Sequence, residues 1–202
     1  MAEEAPTPPL SSLTIRKATT ADLPLLQPLV QSAYRGEPSR KGWTTEADLI
    51  GGQRIDPAGL LDKINDPLGA VLIAFPAGEA AGPIACCEVV LAQKPGGGSS
   101  ETPSPDPAAT CYFGLFAVDP EQQRGGFGKT VLARAEEYAR DTLGARRMEM
   151  TVIWTREELI SWYLRRGYVK TGEKRPWPYG QPENGTPLRD DLYFDVLVKD
   201  LC

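Results

Sequence analysis

The chain has 202 residues, a net charge of −5 and 24% charged residues. That length suits one folded unit with an ample core, and the acidic balance, with no basic run longer than Arg146-Arg147, argues against a nucleic-acid partner. There is no histidine, which excludes Ser–His and Cys–His nucleophiles and removes the commonest base at neutral pH.

No apolar stretch approaches the length of a membrane span, and Met1-Ala2-Glu3-Glu4 is acidic where a signal peptide would be basic. No membrane partner and a cytoplasmic location are therefore expected. Cys86, Cys87, Cys111 and Cys202 show no metal spacing. They read as small hydrophobes in a reducing compartment, and no metal is expected.

Residues 1–11 are rich in Pro, Ser and Glu and read as an unstructured tail. Residues 12–202 read as a single domain. Leu13 to Lys17 has the pattern of a first strand. Thr19, Thr20 and Asp22 signal a helix start, and Leu23, Leu26, Val30, Ala33 and Tyr34 follow at helical spacing. Pro24 fits the first turn, whereas Pro28 predicts a kink. A second helix is predicted after Thr44 or Thr45. Asp56-Pro57 reads as an N-cap followed by proline at the first helical position.

Ala70 to Phe75 and Ile84 to Leu91 read as a hairpin of buried strands. Residues 94–109 form a long Gly/Ser/Pro loop. Cys111 to Val118 is an apolar strand, and Phe127, Val131, Leu132, Ala135, Tyr138 and Ala139 mark one face of a following helix. Arg147 to Ile153 alternates as a strand. Glu157 to Arg166 reads as a helix capped by Gly167, with a strand from Tyr168 to Glu173. Arg175 to Arg189 reads as a Pro/Gly-rich loop, and Asp191 to Leu201 as the closing strand. This order mixes parallel crossovers with antiparallel hairpins, so an α/β fold with a mixed central sheet flanked by helices is expected.

The most informative stretch joins the Cys111–Val118 strand to its helix: Asp119-Pro120-Glu121-Gln122-Gln123-Arg124-Gly125-Gly126-Phe127-Gly128-Lys129. A glycine-rich loop opening a helix leaves backbone N–H groups unpaired, with the positive end of the helix dipole behind them. Such a loop suits a phosphate. Gly125, Gly126 and Gly128 permit close approach, and Arg124 and Lys129 add positive charge. The nucleotide P-loop spacing fails because Arg124 stands where its first glycine belongs. The dinucleotide fingerprint fails at Val131.

The Gln123-x-x-Gly126-x-Gly128 spacing instead resembles the acyl-CoA loop of the GCN5-related N-acetyltransferases. Trp162-Tyr163-x-x-x-Gly167-Tyr168 and Thr171-Gly172-Glu173 resemble that family's second signature, and the two stand in the family's order. The specific resemblance covers roughly residues 111 to 174. It implies a mostly antiparallel sheet of about seven strands and about four helices, with two parallel strands splayed at the acyl-CoA site. It implies acetyl-CoA as co-substrate, with its pyrophosphate on the amides of Gln123, Arg124, Gly125, Gly126, Phe127, Gly128 and Lys129. The pantetheine arm would dock as an added strand on Phe116, Ala117 and Val118. Tyr163 would be the general acid for the departing thiolate.

Two departures stand out. The strand before the loop has Tyr112 and Gly114 where many members carry a glutamate base, leaving Glu37, Glu46, Glu88 and Glu149 as candidates beside water or a neutral substrate. Arg156 replaces the asparagine common before the tyrosine helix. Residues 34–46 occupy the family's variable acceptor segment. There Tyr34 and Trp43 would be walls and Glu37 or Glu46 the counter-charge for a cationic amine, with Trp177 and Tyr179 opposite. The expected activity is acetyl transfer to a small-molecule primary amine by a monomer or homodimer. A protein N-terminus or lysine as acceptor, and a non-catalytic CoA-binding module, are the alternatives.

Overall fold

The computed structural model describes residues 13–76, 82–92, 109–181 and 185–202. The predicted tail at 1–11, the hairpin turn and nearly all of the 94–109 loop lie outside these residues. Seven strands share one sheet: β1 (Thr14–Lys17), β3 (Gly69–Phe75), β4 (Ala85–Leu91), β5 (Thr110–Val118), β6 (Arg147–Ile153), β9 (Tyr193–Asp200) and β7 (Val169–Pro176), in that spatial order. A separate pair joins β2 (Ile50–Gly51) to β8 (Thr186–Pro187). Every neighbouring pair in the large sheet is antiparallel except β5 and β6.

Helices cover both faces. Leu26, Leu29 and Val30 of α1 (Leu23–Tyr34) and Leu60 and Ile64 of α3 (Pro57–Ile64) bury against Val71, Ile73, Phe75, Cys86, Leu115 and Ala117. On the other face, Val131, Leu132, Ala135 and Ala139 of α4 (Phe127–Asp141) and Ile160 and Tyr163 of α5 (Glu157–Leu164) cover Leu72, Cys87, Val89, Cys111, Phe113 and Met150. Strand β3 is buried along its whole length between these layers, whereas β5 alternates buried positions with half-buried ones, among them Tyr112, Gly114, Phe116 and Val118.

Asp56 caps α3 as expected, its carboxylate accepting from the Gly59 N–H at 2.6 Å, with Pro57 beginning the helix. α1 runs unbroken through Pro28, which removes one hydrogen bond near the start of the helix while the buried face continues. The helix predicted after Thr45 does not form. Only one turn, α2 (Gly36–Ser39), follows α1, and the chain from Glu46 makes a single turn before Ile50 enters the β2–β8 pair. Glu46 and Ile50 are both buried there, so tertiary contacts override the local helix-start signals. Strand β7 runs past Glu173 to Pro176 across an irregularity at Gly172, whose φ is +84°. The expected loop from Arg175 is therefore partly strand.

Two features of β5 shape the middle of the sheet. Its parallel pairing with β6 is confined to Thr110–Tyr112 against Arg147–Glu149, and the strands part beyond it. Its pairing with β4 shifts by one residue, because Glu88 opposes Gly114 while Cys86 opposes Ala117. This is a β-bulge, and Leu115 sits in it at φ +47°, a costly backbone for a leucine.

At Gly69, where β3 crosses β4, a Cβ would lie 2.3 Å from the Val89 carbonyl oxygen and 2.7 Å from Val90 Cα. Backbone cannot yield as a side-chain tip can. Gly69→Ala should destabilise the fold by about 1–3 kcal/mol or more, read as a lowered midpoint in chemical denaturation.

Candidate active site

Between the parted ends of β5 and β6 lies a cavity of about 500 Å³, lined from β5, β6, α4, α5 and the chain between α1 and α3. At one end is the start of α4. Gly126 has φ +81° and hands the chain to the helix, and the backbone N–H groups of Gly126, Phe127 and Gly128 find no acceptor among the described residues. A Cβ on Gly128 would point at Phe116, Val118 and Trp162, at 3.4–3.6 Å, so the glycine keeps this end open. Arg124, Gln122 and Lys129 stand around it. Gly125 is not among the lining residues, and its own Cβ would strike the Phe127 ring at 2.8 Å.

Aromatic rings continue the cavity inward. Trp162 lies 6.1 Å from Phe116 and 6.4 Å from Trp43, and the Arg166 guanidinium stacks on it at 3.4 Å. Phe116 and Val118 line the cavity, whereas the Ala117 side chain turns to the α1 face and is fully buried. Tyr163 stands edge-on to Trp162 at 5.0 Å and to Tyr168 at 5.7 Å. Its ring is 4% exposed, and its hydroxyl bonds to no described residue. Burial pushes the phenol well above its usual range, so it stays protonated at all ordinary pH.

The acceptor segment is held across this cavity by a chain of polar contacts. The Gln123 side chain accepts from the Trp43 N–H at 2.9 Å and donates to the Val118 carbonyl at 3.2 Å. Lys41 pairs with Glu121 at 2.5 Å, and Thr44 donates to Glu158 at 2.8 Å. Gln123, expected on the phosphate, thus spends its side chain on the strap while its amide stays in the loop. At the buried centre, Glu46 accepts from Arg35 with one oxygen and from Arg156 with the other, at 2.6 Å, while Arg156 also reaches Thr44 at 2.8 Å. Burial alone would raise the Glu46 carboxyl, but Arg156, Arg35 and Arg54 hold it below the usual range.

Of the acceptor residues expected from sequence, Tyr34, Trp43 and Glu46 line the cavity and Glu37 does not. Glu37 faces solvent beside Arg40, at 3.0 Å. Glu46 is present but both its oxygens are taken. Trp177 lines the cavity, whereas Tyr179 is exposed and its hydroxyl is tied to Arg189 and Leu192. The remaining candidate bases are also paired, Glu88 with Lys63 at 2.8 Å and Glu149 with Arg175 at 2.7 Å.

Sequence reasoning did not find Arg35, Arg54, the Tyr112 and Thr151 hydroxyls, 2.8 Å apart across the parting strands, or the Glu46-binding role of Arg156. The unusual residue at 156 was the one signal available. Tyr34 donates to the Phe116 carbonyl at 2.9 Å, with burial pushing its phenol up to about 12.

A family model described as the acetyltransferase (GNAT) family matches residues 31–168, more than half of the chain. The protein belongs to that family and is an N-acetyltransferase. Solved structures share the fold across nearly the whole chain. An N-acetyltransferase from Staphylococcus aureus Mu50 is 14% identical, covers 94% of this chain and 97% of its own, and has a TM-score of 0.65. The spermidine/spermine N-acetyltransferase SpeG from Vibrio cholerae is 16% identical, with coverages of 95% and 94% and a TM-score of 0.60. The ribosomal-protein-S18-alanine N-acetyltransferase from Escherichia coli is 13% identical, covers 94% of each chain and has a TM-score of 0.59. No curated protein matches the sequence significantly. The family uses acetyl-CoA as co-substrate.

Removing the Glu46 carboxylate leaves two buried guanidiniums without a counter-charge. Glu46→Ala should cost about 3–5 kcal/mol of stability, measured by denaturant unfolding, and should loosen the strap as well.

Proposed function

We propose that the cavity binds acetyl-CoA with its pyrophosphate on the start of α4 and its thioester beside Tyr163, and passes the acetyl group directly to a small-molecule primary amine. One observation carries this reading: the unpaired amides of α4 and the protonated Tyr163 hydroxyl line the same cavity, opened by the parting of β5 from β6. The residues present fit the ligand. The start of α4 offers hydrogen-bond donors where phosphate oxygens need them, and Gly128 leaves room for close approach. The β6-facing edge of β5 has no ladder partner beyond Tyr112, which leaves room for an extended arm to pair with backbone.

Acetyl-CoA supplies a thioester carbon that an amine nitrogen attacks; the new C–N bond forms as the C–S bond breaks. Tyr163 gives its proton to the departing sulfur and regains one from the nitrogen that has attacked, and an amine that arrives as ammonium must first shed its extra proton. That extra proton leaves through water, because Glu46, the only carboxylate lining the cavity among the described residues, is paired twice and held below the usual range. A carboxylate so stabilised is a poor base. The likeness to spermidine, ribosomal-protein and other N-acetyltransferases supports amine acetylation as the reaction while leaving the acceptor to the cavity's own chemistry.

Two measurements test this. At a hundred times its dissociation constant, acetyl-CoA should stabilise the protein by about 2.7 kcal/mol. In Gly128→Val, whose added bulk points at Phe116, Trp162 and Val118, the shift should be lost. No change in wild-type melting with millimolar acetyl-CoA would contradict the binding site. Tyr163→Phe keeps the ring and should lower kcat by roughly 10² to 10⁴ with little change in acetyl-CoA affinity. Full activity in that variant would show that another donor serves the thiolate.

A further inference from the structure

The acceptor end of the cavity is rich in donors and poor in acceptors. Arg35, Arg54 and Arg156 line it against the single carboxylate of Glu46, three positive charges to one negative. Arg35 and Arg156 share that carboxylate. Arg54 has no share. Its guanidinium lies over the Tyr34 ring at 4.8 Å, and among the described residues it makes no ion pair and no side-chain hydrogen bond. Its backbone is fixed by the N–H bond to Gln31 at 3.0 Å, so the side chain is presented from an anchored turn. Four further donors on lining residues are buried without an acceptor, the Nε atoms of Arg35, Arg156 and Arg166 and the indole N–H of Trp177. Trp177 is 7% exposed.

A buried donor without an acceptor costs free energy, and an unpaired cation in a half-enclosed cavity costs more. A ligand that brings acceptor oxygens and a negative charge removes both costs together. A planar guanidinium placed over an aromatic ring can present its fork to a planar or tetrahedral oxyanion. A polycationic acceptor meets the opposite situation, since among the described residues no carboxylate lining the cavity has a free oxygen. The cations at the start of α4, Arg124 and Lys129, belong to the phosphate end; Arg54 comes from the chain between β2 and α3 and stacks instead on Tyr34.

We propose that the acceptor is a primary amine that also carries an oxyanion, a carboxylate or a phosphate monoester, and that Arg54 binds that group. The proposal rests on the acetyl-transfer reading of the same cavity. Glu46 then has a structural part, holding Arg35 and Arg156 in place, and the selectivity of the site is set by Arg54 against the Tyr34 face.

The test uses the whole chain loaded with CoA and matched probes. One arm compares the proteinogenic amino acids with their carboxamides. A second compares O-phosphoethanolamine with ethanolamine, and a third offers spermidine. Binding is read by calorimetry and turnover separately with acetyl-CoA. The expected result is that an oxyanion-bearing amine binds at least tenfold more tightly than its neutral partner. Arg54→Gln should close that gap, with a tenfold to hundredfold loss for the anionic probe, the size of a lost bidentate charge-assisted contact. The first two arms tell carboxylate from phosphate. Equal or better binding of carboxamides, ethanolamine or spermidine overturns the proposal, as does binding of no anionic probe. Anionic probes that bind but are not acetylated would uphold the oxyanion site and contradict the transfer reading. The wild-type comparison decides the matter even if Arg54→Gln folds poorly.

Discussion

Strands β5 and β6 share ladder hydrogen bonds only from Thr110 to Tyr112 on one and Arg147 to Glu149 on the other. Beyond that point β5 is bound on one edge alone, to β4, and even there a bulge at Leu115 takes it out of register. A sheet does not stop pairing in its middle without something to support the gap. Here α4 and α5 cover one side of the opening, and α1 with its following segment covers the other. The break exposes backbone of β5, sets Tyr163 and the start of α4 on the same space, and lets Tyr112 and Thr151 meet across the opening. The positive φ of Leu115 belongs to the β4–β5 bulge, three residues past the last β5–β6 pair at Tyr112.

A second constraint holds the acceptor wall. Glu46 joins Arg35, at the end of α1, to Arg156, at the start of α5 and 110 residues beyond Glu46 in sequence. A buried ion triad is weak evidence for stability, yet removing one partner is costly. Its effect is geometric, because it fixes the strap carrying Trp43 and Thr44 against the loop before α4 and the start of α5. With Glu46 consumed in this way, the charge left over at the acceptor end is positive. On the proposed reading, the same pairing that orders the wall also sets which acceptors it takes.

Much of the fold was legible because its signals are local. The apolar runs of β3 to β6, the 3.6-residue pattern of α4 and the Asp56-Pro57 cap each arise from neighbours in sequence. The glycine spacing at 125–128 was informative for the same reason, since only a loop that opens a helix needs it there. The acceptor wall was not legible. Glu46 in sequence is one acid after two threonines, the pattern of a helix start, and nothing nearby announces two arginines at 35 and 156. Glu37 looked equivalent to it, yet one is buried and the other faces solvent with Arg40. Arg54 resembles any surface arginine until Tyr34 is seen beneath it. The Leu115 bulge depends on pairing with β4 and left only Gly114 as a trace.

The central claim is that one cavity between the parted strands receives both the acyl donor and the amine. A CoA titration of the 22.0 kDa chain, followed by backbone amide NMR, tests it most directly. Concentration-dependent shifts are expected at Gly126, Phe127 and Gly128, with further shifts along Phe116 to Val118 and at Tyr163. Shifts confined to other parts of the chain, or none at saturating CoA, would contradict it.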